Sequence, residues 1–204
     1  MSENKICLPG KFPIGCIVMA SGQGNRFGSN KLLAPFKGKP LIENILTSII
    51  KSNLAKITVV TRHQEIADLC SSKNISCVLH NLPNQNDTVF LGLKEIYDSQ
   101  LAGYLFCVSD QPLLSSTTIT ALCRQFLAQP QYIHRTSCGG KAGNPIIFPK
   151  KYAAELMQLP QDKGGSYLAK KYPEQVRYLP VQDKYELFDI DTEDDLQHLE
   201  LLTF

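Results

Sequence analysis

Three short stretches of the chain hold residue types whose spacing could do chemistry. Ser21-Gly22-Gln23-Gly24-Asn25-Arg26-Phe27-Gly28-Ser29-Asn30-Lys31 sets three glycines beside Arg26 and Lys31. Glycine reaches backbone angles closed to other residues and lets a phosphate approach main-chain N–H groups, so this segment could cradle phosphates with cations at hand. The plainer reading is a glycine-rich turn with exposed basic residues. Asp110-Gln111-Pro112 places a carboxylate just before a proline. Magnesium takes one or two carboxylates plus phosphate oxygens and water, which suits Asp110; otherwise Asp110 only opens a turn. Asp189-Ile190-Asp191-Thr192 spaces two acids two residues apart. On a strand both would face one way at the mouth of the last helix, although Thr192 or Asp191 could serve only as that helix's N-cap.

The spacing narrows the ligand. Gly22 to Gly28 does not fit GxxxxGK[ST], which disfavours a P-loop ATPase, and it misses GxGxxG by one residue. Arg26 and Lys31 within the loop are atypical of a dinucleotide site. A triphosphate carries more charge than a dinucleotide's pyrophosphate and calls for such cations. A phosphate cradle, two cations and at least two carboxylates are the parts that phosphoryl and nucleotidyl transfers need.

Elements that would position these parts are legible in the hydrophobic pattern. Ile14–Ala20 is a continuous apolar strand ending at the glycines. Pro40 opens a helix in which Leu41, Ile42, Ile45, Leu46, Ile49 and Ile50 recur at helical spacing. Further strands are expected at Lys56–Thr61, Ile75–His80 and Tyr104–Ser109, and further helices at Gln64–Ser72, Asp87–Ser99 and Ser115–Ala128. Apolar strands alternating with such helices predict βαβ units and a parallel sheet, whose ligands collect beyond the carboxyl ends of the strands. After residue 130 the rhythm shortens, with strands expected at Tyr132–Thr136, Pro145–Phe148, Val176–Pro180 and Leu187–Ile190, then a helix over Thr192–Leu202.

Composition excludes several classes. A formal charge of +2 and the absence of any basic run argue against a nucleic-acid partner, Lys170-Lys171 reading as a solvated helix end. No apolar stretch reaches the length of a membrane span, and residues 1–13 lack the apolar core of a signal peptide, so a cytoplasmic location is expected. The seven cysteines form no CxxC pair, and several lie inside apolar runs, where cysteine behaves as a small hydrophobe. Reduced thiols fit better than a disulfide framework.

The stretch IVMASGQGNRFGSNKLLAPFKGKPLIENIL resembles the LAAGxGxRFGxxKLLxPxxGxPLL signature of the MobA-like nucleotidyltransferases, and more closely their molybdenum cofactor cytidylyltransferase branch. DQP at 110–112, GNP at 143–145, LPQDKGG at 159–165 and DIDTEDDL at 189–196 follow in the family's order, so the resemblance spans residues 14–202. It implies a single-domain, three-layer α/β/α, Rossmann-like fold of the nucleotide-diphospho-sugar transferase type, with a mostly parallel mixed sheet. The domain would occupy residues 14–204 behind an arm of residues 1–13.

The resemblance also implies Mg²⁺-dependent transfer of a nucleoside monophosphate to a phosphorylated acceptor with release of pyrophosphate. Ala20, Ser21, Gly22, Gln23, Gly24, Arg26, Lys31 and Thr88 would hold the nucleotide. Lys31 would lie nearest the α-phosphate, and Lys31, Arg26 and Asp110 would be catalytic. Asp110 would bind the metal with Asp191, Asp189 being the reserve, and Asn144 and Asp162 would face the acceptor. The chain departs from the pattern at Ser21, where the family has alanine, and at Asn84-Gln85-Asn86-Asp87-Thr88, where Thr88 replaces a serine. The family's GDxGxR also becomes Gln161-Asp162-Lys163-Gly164-Gly165-Ser166, without the arginine. CTP and a molybdopterin-type acceptor, with an apo-molybdoenzyme as a further partner, are the expected ligands. The rivals are a GTP- or ATP-using or sugar- or alditol-phosphate enzyme of the same fold, and a non-catalytic nucleotide or cofactor carrier.

Overall fold

The computed structural model describes residues 10–22, 27 and 30–202. The chain runs β1 (Phe12–Ala20), a 3-10 turn at Lys31–Leu33, the short hairpin β2 (Pro35–Phe36) and β3 (Lys39–Pro40), and α1 (Leu41–Lys51). It continues through β4 (Leu54–Thr61), α2 (Gln64–Ser72), β5 (Ser76–Leu79), α3 (Gln85–Ile96), β6 (Gly103–Val108) and α4 (Ser116–Ala128). Then come β7 (Ile133–Cys138), β8 (Lys141–Pro149), α5 (Ala153–Leu156), α6 (Gly165–Lys171), β9 (Val176–Pro180) and α7 (Glu193–Leu202).

Seven strands form one sheet in the order β5-β4-β1-β6-β8-β7-β9. Only β8 runs against its neighbours, so the sheet is mostly parallel and mixed, as expected. Side chains of β1 alternate across it. Ile14, Cys16, Val18 and Ala20 enter the core under α1, α2, α4 and α7, whereas Ile17 enters the core under α3, α5 and α6. This period of two, on a sheet covered on both faces, is what makes three layers. Gly92 of α3 allows the close approach there: a Cβ on it would lie 2.5 Å from Ile17 Cγ2. In α1, Leu41, Ile42, Ile45, Leu46 and Ile49 are buried. Burial worth about 1.5–3 kcal/mol for each such side chain outweighs the weak helix preference of isoleucine. The helix stops where Asn53, just past its C-cap, turns left-handed at φ 53°.

The departures from expectation have local causes. Phe12 and Pro13 belong to β1, so strand one begins inside the expected arm. Pro40 is the N-cap of α1 and pairs in β3, rather than opening the helix from within. Asp87 is the third residue of α3 and accepts a hydrogen bond from the Asn84 N–H, which moves the helix start back to Gln85. β7 and β8 are longer than expected because Gly139-Gly140, both at positive φ, close them into a hairpin with Cys138 opposite Lys141. Leu187–Ile190 is not a strand. Residues Lys184–Leu187 form a 3-10 turn, and the next residues run extended without a ladder. Among the described residues no helix is long and apolar enough to cross a membrane, and Cys16, Cys70, Cys77, Cys107, Cys123 and Cys138 carry free thiols.

Candidate active site

In chain order β1 is followed by β4 and β5 on one side and by β6 on the other, so the strand order reverses between β1 and β6. A crevice opens beyond the carboxyl ends of such strands. Here a cleft of about 600 Å³ lies there, walled by Ser21, Gly22, Lys31, Arg62, Thr88, Asp110, Asp162 and Asp191 among others.

Lys31 is the centre of its polar end. Its ammonium donates to Asp110 Oδ2 at 2.8 Å, to Asp191 Oδ1 at 3.3 Å and to the Ile190 carbonyl at 2.7 Å. The acidic segment reaches this position without strand pairing because four hydrogen bonds dock it against residues 110–115. Ile190 N–H donates to the Asp110 carbonyl at 3.0 Å. The Gln111 amide donates to Asp189 Oδ1 at 2.9 Å and to the Leu187 carbonyl at 3.2 Å. Glu186 accepts from the Ser115 N–H at 2.9 Å. Gln111, buried among these groups, therefore links both acidic motifs.

The capping question at α7 resolves in favour of Thr192. Its hydroxyl accepts from the Asp195 N–H at 3.1 Å, and Asp195 Oδ2 accepts in return from the N–H groups of Thr192 and Asp191. The Asp191 carboxylate is thus turned to Lys31 and the cleft. Asp189 lies outside the cleft wall, bonded to Gln111. Its residue keeps an exposed flank, yet protein packed around the carboxyl, with the charges of Asp110 and Asp191 against it, pushes its pKa up to about 6.

Among the described residues no group of three or more histidine, cysteine or acidic side chains is set to hold a metal unaided. Two hard carboxylates facing the cleft are nonetheless the donor set magnesium favours, with the remaining positions left to phosphate and water. The chemistry of Asp110 and Asp191 fits that ion.

Other expected residues fall into place unevenly. Gln23, Gly24, Arg26 and Gly28 lie outside the described residues. Gly22 walls the cleft but is not at positive φ, and a Cβ on it would meet nothing within 4 Å. What its missing side chain provides here is a bare floor, rather than the unusual angle expected. Ala20 is buried, ends β1 with its carbonyl accepting from the Thr61 hydroxyl, and does not wall the cleft. Thr88, 2% exposed, lies at the cleft with Asn84 and Gln85. Asp162 is in the same wall, left-handed at φ 58°, with its N–H donating to the Asn86 side chain. Asn144 instead lines an adjoining pocket of about 160 Å³ with Gln85, Phe106, Ile146 and Ser166. The two expected acceptor residues thus sit in neighbouring cavities that share Met19, Gln85 and Val108. Arg135, 7% exposed, braces this side by donating twice to the Gly143 carbonyl, at 2.8 and 3.0 Å.

Sequence reading missed Arg62, a cation in the cleft wall directly after β4. Its place at a strand's carboxyl end was the available signal. It also missed His63 and His80. His63 Nε2 lies 3.1 Å from the Gly22 carbonyl, and His80 Nε2 lies 2.8 Å from Ser21 Oγ. Only the fold brings these residues to the loop.

The switch-point cleft, its carboxylates and the lysine between them suit a phosphorylated nucleotide on an α/β/α fold. A family model described as the MobA-like NTP transferase domain matches residues 16–176, and the chain belongs to that family. It is 26% identical over 200 residues to the bifunctional protein GlmU of Francisella tularensis subsp. novicida (strain U112), covering 88% of this chain and 44% of that protein. The chain therefore spans less than half the length of that curated relative. Among solved structures, Rv0371c from Mycobacterium tuberculosis H37Rv superposes with a TM-score of 0.81 at 21% identity, covering 92% of this chain and 97% of that one. A CMP:2-keto-3-deoxy-manno-octonic acid synthetase complexed with CTP superposes with a TM-score of 0.73 at 12% identity, covering 93% and 97%. At such identities these likenesses establish the fold.

Proposed function

We propose that this protein moves CMP from CTP to the terminal phosphate of a molybdopterin-type acceptor and releases pyrophosphate. The observation that carries the reading is the convergence of Lys31, Asp110 and Asp191, drawn from distant parts of the chain, on one end of a nucleotide-sized cleft. The family and the order of its motifs support the reaction class; the match to the cytidylyl branch supports the substrates.

In this reading Asp110 and Asp191 hold Mg²⁺, which would offset charge on the phosphate oxygens. The acceptor phosphate is already anionic at neutral pH, so no strong general base is needed. Its oxygen attacks the α-phosphorus in line, the bond from that phosphorus to the bridging oxygen breaks, and pyrophosphate leaves with the electron pair. Lys31, anchored by the Ile190 carbonyl, supplies charge to the α-phosphate as the equatorial oxygens become more negative. Arg62 and Arg26 serve the rest of the triphosphate. Thr88 and Asn84 flank the nucleoside, and Asn144 and Asp162 hold the acceptor in line, so that positioning provides much of the rate.

A second reading, transfer to a sugar-type acceptor by the same chemistry, is favoured by the fold shared with the CTP-bound synthetase. Equimolar CTP, GTP and ATP supplied with molybdopterin and Mg²⁺, followed by mass analysis of the product, separates the options. A CMP-bearing dinucleotide is expected. A tenfold excess of GMP product would change the donor but keep the reaction, and transfer only to a sugar phosphate or sugar acid would replace the acceptor.

A further inference from the structure

His80 does not wall the cleft, yet it is bonded to Ser21, which does, and to Leu82, which precedes Pro83 and Asn84 of the wall. Its backbone N–H donates to the Thr61 carbonyl at 3.0 Å, which pins it beside the end of β4. On the ring, Nδ1 accepts from the Leu82 N–H at 3.1 Å. Nε2 lies 2.8 Å from Ser21 Oγ, and Ser21 Oγ lies 3.1 Å from the Val60 carbonyl.

These contacts determine where the protons are. A carbonyl only accepts, so the single hydroxyl proton of Ser21 goes to Val60. The Ser21 oxygen then accepts a hydrogen bond from His80 Nε2–H. Nδ1, facing an N–H, must present its lone pair. Both ends require the same neutral tautomer, with hydrogen on Nε2. The result is one unbroken chain of bonds from the Leu82 N–H through His80 and Ser21 to β4. Ser21 opens the glycine-rich loop, and Leu82 directly precedes Pro83 and Asn84, which line the cleft with Ser21. The serine stands where the family pattern has alanine, which could not receive the Nε2 hydrogen.

We infer that His80 is a positioning residue for the nucleoside end of the nucleotide, locking Ser21 and the 82–84 loop together as one rim. The inference rests on the nucleotide reading above: with the carboxylates and Lys31 at the phosphate end, the wall of Ser21, Pro83, Asn84 and Thr88 is left to the nucleoside. His80 acts on it only through Ser21 and Leu82. A proton added to His80 would land on Nδ1 and set two donors, Nδ1–H and the Leu82 N–H, against each other. The groups acting on the ring are Arg62, whose charge disfavours that proton, and Asp87, which favours it; burial disfavours it more strongly than either. His80 is therefore held neutral below the usual histidine range, and the tie is present at neutral pH and lost as pH falls through that lowered pKa.

The test is equilibrium binding of CTP and of inorganic tripolyphosphate, with Mg²⁺, to the parent, His80→Leu and His80→Gln, with melting curves to confirm folding. His80→Leu should weaken CTP about fivefold, the scale of one lost hydrogen bond, and leave tripolyphosphate within about twofold. His80→Gln keeps a donor for Ser21 but cannot titrate. It should recover part of the affinity and lose the parent's extra weakening of CTP as pH falls below the usual histidine range. Unchanged CTP affinity in His80→Leu, an equal loss of CTP and tripolyphosphate, or an identical acid limb in His80→Gln would overturn the inference. A folded parent that binds neither compound would overturn the nucleotide reading itself.

Discussion

The ammonium of Lys31 lies 2.8 Å from Asp110 Oδ2, across 79 residues of sequence. Asp191 and the Ile190 carbonyl complete its contacts. The lysine thus occupies the charge-neutralising position between two acids that face the cleft, with a third acid, Asp189, behind them. Removing the lysine leaves like charges opposed, whereas removing the Asp110 charge leaves the lysine paired with Asp191 alone.

Asp110→Asn keeps the side chain's shape and one oxygen while removing its charge. The fold should stand, since Ile190 bonds the Asp110 main chain rather than its side chain. Turnover should fall by at least about 100-fold, the scale of losing one main electrostatic stabiliser. Steady-state kinetics with a melting curve would check this, and activity within a few-fold of the parent would remove Asp110 from the site.

Lys31→Ala leaves Asp110, Asp189 and Asp191 without the cation that offsets them. Three hydrogen bonds from the ammonium disappear, two of them to carboxylates, and the metal-free protein should lose about 2 kcal/mol, or roughly 4–8 °C in Tm. Mg²⁺ should restore more of that Tm in the variant than it adds to the parent, because it replaces the missing charge. If Lys31 acts mainly in the transition state, kcat should fall by more than KM rises. A KM effect alone would make Lys31 a ground-state anchor.

Thr192→Ala and Asp191→Asn separate a helix cap from a ligand. Loss of the Thr192 hydroxyl should cost about 1 kcal/mol of stability, visible in urea unfolding, with a smaller effect on turnover. Asp191→Asn should do the reverse: little change in stability and a higher Mg²⁺ concentration for half-maximal rate. The same ranking for both substitutions would mean that the acid is part of the cap.

Much of the architecture could be read from the sequence because its helices and parallel strands are long and periodic. Gln64–Ser72 and Val176–Pro180 have the expected bounds. Where short-range patterning is weak the reading failed. Leu187–Ile190 looks like a strand by composition, but Leu187 ends a 3-10 turn and the segment bonds to Gln111 and Asp110, distant in sequence, instead of to a neighbouring strand. In the candidate site, Lys31, Asp110 and Asp191 are legible because their motifs sit at element ends. His80 and Arg62 are not, since their neighbourhood to the glycine-rich loop comes from β4 pairing beside β1.

Gly92→Ala tests the packing that holds α3, and with it Thr88, over the sheet. The new Cβ would lie 2.5 Å from Ile17 Cγ2 and 3.1 Å from Val60 Cγ2, both on stiff, buried side chains. Overpacking of this kind costs about 1–3 kcal/mol. A melting curve should show the loss, and an unchanged Tm would mean that α3 packs further from β1 than described.

The most direct measurement is pyrophosphate release from CTP with a molybdopterin acceptor, in the parent and in Asp110→Asn, with Mg²⁺ and with a chelator. The account predicts pyrophosphate formed in step with a CMP-bearing product, dependent on acceptor and on Mg²⁺, and reduced at least about 100-fold by the substitution. CTP that binds but yields no pyrophosphate with molybdopterin, sugar phosphates or alditol phosphates under any of these conditions would contradict it and leave a nucleotide carrier.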